Sequence, residues 1–396
     1  MKKIFTYIFL VVVFLVVIVL IAAKYLNLDR KTTISLIEPS RNNDLKKLPQ
    51  GSTLDKPLNI PADFKMAIYA DLKSASPRVL EFDMNGVLLA SIPGEGKIVA
   101  LPDRNADGIA DGENVVINGL NRPHGMAFNN DFFYVAETDK VVRYKYDPIK
   151  FKVSEGKILF TLPGGGRHFT RTLKVLGDKL YTSVGSSCDT CVESDDKRAA
   201  ILVSDLDGGN LKVFAQGLRN TVFFAFDPSA SSGQVRIWGN DMGRDFLGDD
   251  LPPDELNIVS EGKDYGWPYC YGDRIRDAKF MNDKEPDYCQ HTEKAQVFYP
   301  AHVAPLGIVF ITSDLFPKDD WGKILVAFHG SWNRSSAVGY KIVKIDPDTG
   351  RLENFITGWL NAKGSVLGRP VDLIFANNGV LYISDDKANL IYILTK

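Results

Sequence analysis

From about residue 62 to its C-terminus the chain repeats one pattern: an apolar run, a turn, a second run ending in small or acidic residues, then a third run and another turn. Residues 125–137, 173–185 and 371–385 show it most plainly, and further copies begin near Arg78, Val222 and Leu306, which makes six units of uneven spacing. The runs are short, β-branched and aromatic, and Gly, Asp, Asn and Pro separate them. Long amphipathic helical patterns are scarce, so the chain reads as all-β. A unit of three or four strands cannot bury both of its faces alone, but six units stacked radially can. The pattern therefore predicts a six-bladed β-propeller over residues 62–396. A β-sandwich is the rival, disfavoured by the repeat number. Phe64-Lys-Met-Ala-Ile-Tyr69 is placed to complete the last blade with a strand from the other end of the chain.

The first residues are of another kind. Lys2 and Lys3 precede an uncharged, mostly apolar run from Ile4 to Ala23, long enough to cross a hydrocarbon layer of roughly 30 Å as a helix. Ala22-Ala23-Lys24 is a poor cleavage site, so residues 1–26 read as an N-terminal transmembrane anchor, with a cleaved signal peptide as the alternative. Residues 27–61 are polar, contain Pro and Gly, and suit a linker. The expected location is membrane-anchored and extracytoplasmic, on the periplasmic or cell-surface side. The 47 basic and 49 acidic residues leave a net charge of −2, which offers no basic field for nucleic acid. Four cysteines, Cys188, Cys191, Cys270 and Cys289, read as two disulfides in an exported protein. Zinc would need four converging ligands, and the second pair lacks the C-x-x-C spacing of the first.

In a propeller the segment before each inner strand presents side chains to the channel mouth. His124, His168, His302 and His329 sit in such turn-rich segments, where an imidazole serves proton transfer near neutral pH or, singly, satisfies itself against carbonyls. Arg171, Arg219, Arg334 and Arg369 mark similar places. As a ring they would grip a carboxylated ligand through paired hydrogen bonds; singly they could bridge blades. Asp103, Asn105, Asp107 and Asp111 alternate around Gly108 like a calcium loop, but Asn114 replaces the closing glutamate, so a structural calcium and a solvated turn both stay open. Residues 240–257, dense in Asp, Gly and Pro, are expected to form an ordered loop over the channel.

Together Gly166-Arg-His-Phe-Thr-Arg171, Ser186-Ser-Cys-Asp-Thr-Cys191, Gly217-Leu-Arg-Asn220, residues 249–257, Tyr265-Gly-Trp-Pro268, Gly330-Ser-Trp-Asn-Arg334 and Gly368-Arg-Pro370 resemble the sorbosone dehydrogenase-like, quinone-dependent sugar dehydrogenases. The likeness runs in order through nearly the whole body, and extends more distantly to soluble glucose dehydrogenases and the hedgehog-interacting protein group. It implies pyrroloquinoline quinone (PQQ) flat over the channel with a chelated calcium ion, and a sugar substrate whose electrons pass to a respiratory acceptor, a cytochrome or quinone. It also implies His168 as general base, Arg219 and Asn220 against the quinone, Arg369 on one of its carboxylates, Arg171 and Arg334 as further cofactor contacts, and backbone carbonyls at Gly243 and Arg244 on the calcium. One departure is visible: soluble glucose dehydrogenases place a carboxylate behind the histidine, and this chain offers Ser186. Non-catalytic glycan or protein binding is the second reading, since fold alone does not confer activity. A calcium-dependent lactonase is a third, disfavoured by the few acids expected to face the channel.

Overall fold

Apolar runs without polar alternation form strands covered on both faces, and a blade between two neighbours is such an environment. The computed structural model describes residues 58–230 and 235–396, and among these the six units are six four-stranded antiparallel sheets. The second strands Leu88–Ile92, Ile324–Phe328 and Leu381–Asp385 are buried along their whole length. The outermost strand Lys152–Thr161, by contrast, is largely exposed. This gradient from ring to rim is the mark of radial stacking.

The blades open with inner strands Leu80–Phe82, Met126–Asn129, Leu173–Leu176, Phe224–Phe226, Pro305–Phe310 and Pro370–Phe375. Polar contacts tie neighbouring blades together. Leu80 N donates to Asp372 Oδ2 at 2.8 Å, Tyr146 Oη to Asp83 Oδ2 at 3.0 Å, and Gly125 N to Arg171 O at 2.7 Å. Ser183 Oγ donates to Val222 O at 3.4 Å and Asn240 Nδ2 to Leu306 O at 2.8 Å. The last blade is completed by Lys65–Asp71, antiparallel to Leu390–Thr395 with Lys65 opposite Thr395. The predicted closing strand is therefore the one used.

Inner strands approach so closely that two positions exclude a side chain. A Cβ on Gly125 would lie 2.4 Å from Arg171 O, and one on Gly307 2.6 Å from Val371 O. Both contacts are with backbone, which cannot swing aside.

Two expectations change. Residues 240–257 are not one loop: Ile237–Asp241 and Asp254–Val259 are paired strands, and only the stretch between them crosses the mouth. Strand pairing survives there because the polar side chains are satisfied internally. Asn240 bonds Leu306 O and accepts from Tyr299 Oη, and Asp241 accepts the amides of Arg219 and Asn220. The transmembrane anchor at residues 1–26 and most of the linker lie outside the described residues, and no helix among the described residues is long and apolar enough to cross a membrane.

Residues 260–296, inserted between two strands of the fourth blade, climb the outer strand of the third. Gln216 N donates to Lys263 O, Tyr265 N to Gln216 O and Trp267 N to Gly217 O, which carries the Cys270–Cys289 disulfide to the mouth. Gly125→Val should cost about 1–3 kcal/mol of stability through overpacking, read as a lower denaturant midpoint. An unchanged midpoint would show that the blades can move apart at no cost.

Candidate active site

Segments before the inner strands of five blades surround a cavity of ≈ 400 Å³ at the mouth of the ring. His168, Arg219, Asn220 and Arg369 meet there as expected, with Gly243 beside them. Arg244 lines a smaller adjoining cavity, its guanidinium drawn to Asp277 Oδ2 at 2.7 Å.

His168 Nδ1 lies 3.0 Å from Ser186 O and 2.9 Å from Ser186 Oγ. A carbonyl only accepts, so Nδ1 carries the ring proton and Nε2 keeps its lone pair. Ser186 Oγ donates to Cys188 O at 2.8 Å, leaving its own lone pair for the imidazole. Ser186, the residue the sequence offered behind His168, thus orients the ring through its backbone carbonyl as well as its hydroxyl. Burial, with Arg219 beside it, pushes the His168 pKa down to about 3, so the ring is neutral at physiological pH.

Arg219 is almost fully buried. It donates through Nε to Asp189 O at 2.8 Å, through Nη1 to Met242 O at 3.2 Å, and through Nη2 to Asp189 Oδ1 at 2.7 Å. Burial opposes the Asp189 charge, but the Asp245 amide and Arg219 outweigh it and hold that carboxyl below its ordinary pKa. Asp189 sits inside the Cys188–Cys191 disulfide, which keeps this short loop in place. Arg369 donates to the carbonyls of His329 and Gly330 and lies 5.5 Å from the Tyr340 ring, and among the described residues its guanidinium makes no salt bridge, although Asp386 is near enough to act on its charge.

Three expected site groups are placed elsewhere. Arg171 is fully buried behind the His168 segment and donates to His168 O at 3.0 Å, Thr170 O at 2.7 Å and Pro163 O at 2.9 Å. It shapes the loop that presents His168 and does not line the cavity. Arg334 turns to Asp250 Oδ1 at 2.9 Å and to the carbonyl of Asp249, tying two mouth loops together outside the cavity. The Asp103–Asp111 segment lies on a connection of the first blade, between Lys97–Leu101 and Asn114–Ile117. Asp103 accepts the amides of Asp107 and Gly108, Asp107 accepts those of Asn105's side chain and Ile109, and Asp111 accepts the Arg104 amide. Its oxygens serve the turn itself. Among the described residues the one gathering of three metal-type side chains is Cys188, Cys191 and Glu193, and there the sulfurs are bonded to each other.

Residues not singled out complete the walls: Arg78, Arg167, Asp245, Asp254 and Trp332. Arg78 precedes an inner strand just as Arg219 and Arg369 do, so the same positional rule could have found it. Arg167 pairs with Asp245 Oδ2 at 2.7 Å and lies 5.5 Å from the Trp332 ring. Among the described residues Arg78 Nε and Asn220 Oδ1 are buried without a hydrogen-bond partner, which leaves unmet bonding capacity on two cavity residues.

The fold and this cavity define a six-bladed propeller with one polar, arginine-walled site on its axis. The chain belongs to the TrAA12-like family, whose model matches residues 59–396. It is 33% identical over 356 residues to an uncharacterized protein of Borreliella burgdorferi, covering 85% of this chain and 90% of that one. It is 24% identical over 390 residues to the pyrroloquinoline quinone-dependent pyranose dehydrogenase of Coprinopsis cinerea, covering 81% of this chain and 52% of that one, so it spans about half of that enzyme. Among solved structures, the calcium structure of the Trichoderma reesei family AA12 carbohydrate-active enzyme superposes with a TM-score of 0.74 at 21% identity, over 87% of this chain and 99% of that one. The holo form of the Coprinopsis cinerea pyranose dehydrogenase PQQ domain superposes with a TM-score of 0.73 at 21% identity, over 88% and 99%.

Burial pushes Asp254 up to about 7, and burial with the nearby Asp241 charge pushes Glu255 up to about 8. Unfolded, both would ionise near pH 4, so the folded state holds protons that the unfolded state has lost, and stability drains as pH rises through 7 to 8. His168 and His329, whose pKa values are lowered, act in the opposite sense only below about 6.5. Calcium-free protein should therefore lose denaturant resistance between about pH 6.5 and 8. A flat or rising profile across that window would contradict the buried carboxylates.

Proposed function

We propose that this chain oxidises a sugar or a sugar-like alcohol or aldehyde, using PQQ and calcium. The observation that carries the reading is one cavity combining a neutral imidazole of fixed tautomer with the guanidinium groups of Arg78, Arg167, Arg219 and Arg369. The residues fit the group. PQQ is a flat tricarboxylate, and planar guanidinium groups suit carboxylates. The unpartnered Arg78 Nε and Asn220 Oδ1 add hydrogen-bonding capacity. The names of the Coprinopsis and Trichoderma relatives, one with PQQ and one with calcium, support the same pair.

When bound, the quinone supplies a hydride acceptor and calcium a Lewis acid that polarises it. The chain's own part is to orient and to move a proton. His168 Nε2 takes the proton of the substrate hydroxyl while Ser186 holds Nδ1. Arg219 depresses the imidazole, and an anion beside Arg219 offsets that charge, so the base strengthens once the site is loaded. Backbone carbonyls at Gly243 and Arg244 would hold the calcium. A Cβ at Gly243 would lie 2.7 Å from Pro252 Cγ, and Asp254 Oδ1 accepts the Gly243 amide at 2.8 Å, so this stretch is pinned. On the same reading electrons pass to a respiratory cytochrome or quinone outside the cytoplasm, with residues 1–26 as the membrane anchor. The two disulfides support an oxidising compartment.

Apoprotein given PQQ and calcium should reduce an artificial dye with at least one sugar of a broad panel. His168→Ala should lower kcat by about 10²–10⁴ while PQQ still binds. Arg369→Ala should weaken PQQ binding, and Arg334→Ala should leave it unchanged. If PQQ binds and no sugar reduces the dye, catalysis is refuted and a non-catalytic glycan- or protein-binding propeller takes its place.

A further inference from the structure

Besides His168, two further imidazoles line the cavity, His302 and His329, and the proposed chemistry leaves His329 unused. His329 follows the strand Ile324–Phe328, and its Nε2 lies 2.9 Å from Asp386 Oδ1. The other oxygen of Asp386 accepts from Arg78 Nη1 at 2.6 Å. Arg369 donates to the carbonyls of His329 and Gly330. His329, Arg78 and Arg369 all line the cavity, on three consecutive blades.

An ionised carboxylate only accepts, so His329 presents Nε2–H to Asp386. Asp386 is held ionised: burial opposes its charge, but His329 and the two arginines outweigh burial and keep its pKa well below the usual carboxylate range. Nδ1 is then the atom with a choice. It makes no hydrogen bond to the described residues, and it is a lone pair in the neutral ring and a donor in the cation.

Each element packed around His329 contributes to the balance. The loop after Leu381–Asp385 brings Asp386, which favours the cation; the segments before Leu80–Phe82 and Pro370–Phe375 bring Arg78 and Arg369, which oppose it. On the fifth blade itself, His302 is bonded to Gly248 O and Tyr340 donates to Ser331 O. Burial is the largest influence, and with no anion present the ring stays below its ordinary pKa. A carboxylate arriving at Arg78 and Arg369 would neutralise the two groups that oppose protonation and would add an acceptor for Nδ1–H.

We infer that His329, braced by Asp386, is a proton-gated anchor for a carboxylate of the cofactor, so that loading the site takes up a proton. This rests on the assignment of PQQ to the cavity. It adds a titratable contact to the permanently charged ones, and it makes cofactor retention depend on the pH of the compartment.

The test is PQQ binding to apoprotein in excess calcium, followed by calorimetry in two buffers of different ionisation heat across about pH 5.5 to 8. Wild type should take up as much as one proton, with Kd rising by up to about tenfold per pH unit on the alkaline side. His329→Gln should bind more weakly at the acid end and lose that proton uptake. His329→Lys, a permanent cation, should restore acid-end affinity and keep it as pH rises. Asp254 is unchanged in all three proteins, so the differences isolate position 329. A Gln variant with the wild-type proton uptake overturns the inference and leaves the cofactor assignment standing. No PQQ binding by wild type at any pH overturns that assignment and the inference with it.

Discussion

Antiparallel pairing of Lys65–Asp71 with Leu390–Thr395 closes the ring, and the site exists only because the ring is closed. Residues that share the cavity come from as far apart as Arg78 and Arg369, and no local structure would bring them together. Once the last blade is complete, each inner strand is trapped between two neighbours, and the segment leading into it has one place to go. The backbone contacts at Gly125 and Gly307 show how little slack remains. A site of this kind is rigid because its scaffold is circular, and rigidity is what lets side chains from five blades hold positions suited to one ligand.

The cavity's charge follows from how its arginines are held. Arg171 spends its guanidinium on three carbonyls and serves the fold. Arg369 is also held by carbonyls, but at the cavity wall, so its charge stays available there. Arg219, Arg167 and Arg78 have carboxylate partners in Asp189, Asp245 and Asp386. These partners fix the orientation of the three guanidinium groups at the cavity wall. The same positive field depresses two of the cavity's imidazoles, His168 through Arg219 and His329 through Arg369 and Arg78, with burial the larger influence in each case. An anionic ligand would therefore change the protonation chemistry of the cavity as well as fill it.

Much of this was legible in the residues. Six repeats predicted six blades, and Phe64–Tyr69 is part of the closing segment. The rule that side chains before inner strands face the mouth placed His168, Arg219, Asn220 and Arg369 correctly. It failed for Arg171, which shares a motif with His168 but turns inward, because a sequence does not show which carbonyls lack donors. It did not apply to Arg334, which follows the second strand Ile324–Phe328 instead of preceding an inner strand, and which turns to Asp249 and Asp250 of another blade. Ser186 looked like a weaker substitute for a carboxylate, since the side chain was visible and its carbonyl, the fixed acceptor, was not. The alternating acids from Asp103 to Asp111 imitate a metal loop because turns and metals both draw on carboxylate oxygens.

The central claim is that the His168 imidazole and a ring of guanidinium groups enclose a site for a flat tricarboxylate. Diffraction from crystals grown with PQQ and calcium tests it most directly. The account predicts the quinone in the cavity between His168 and Arg369, with calcium at the Gly243 backbone. Quinone bound on another surface, with this cavity filled only by water, would contradict it.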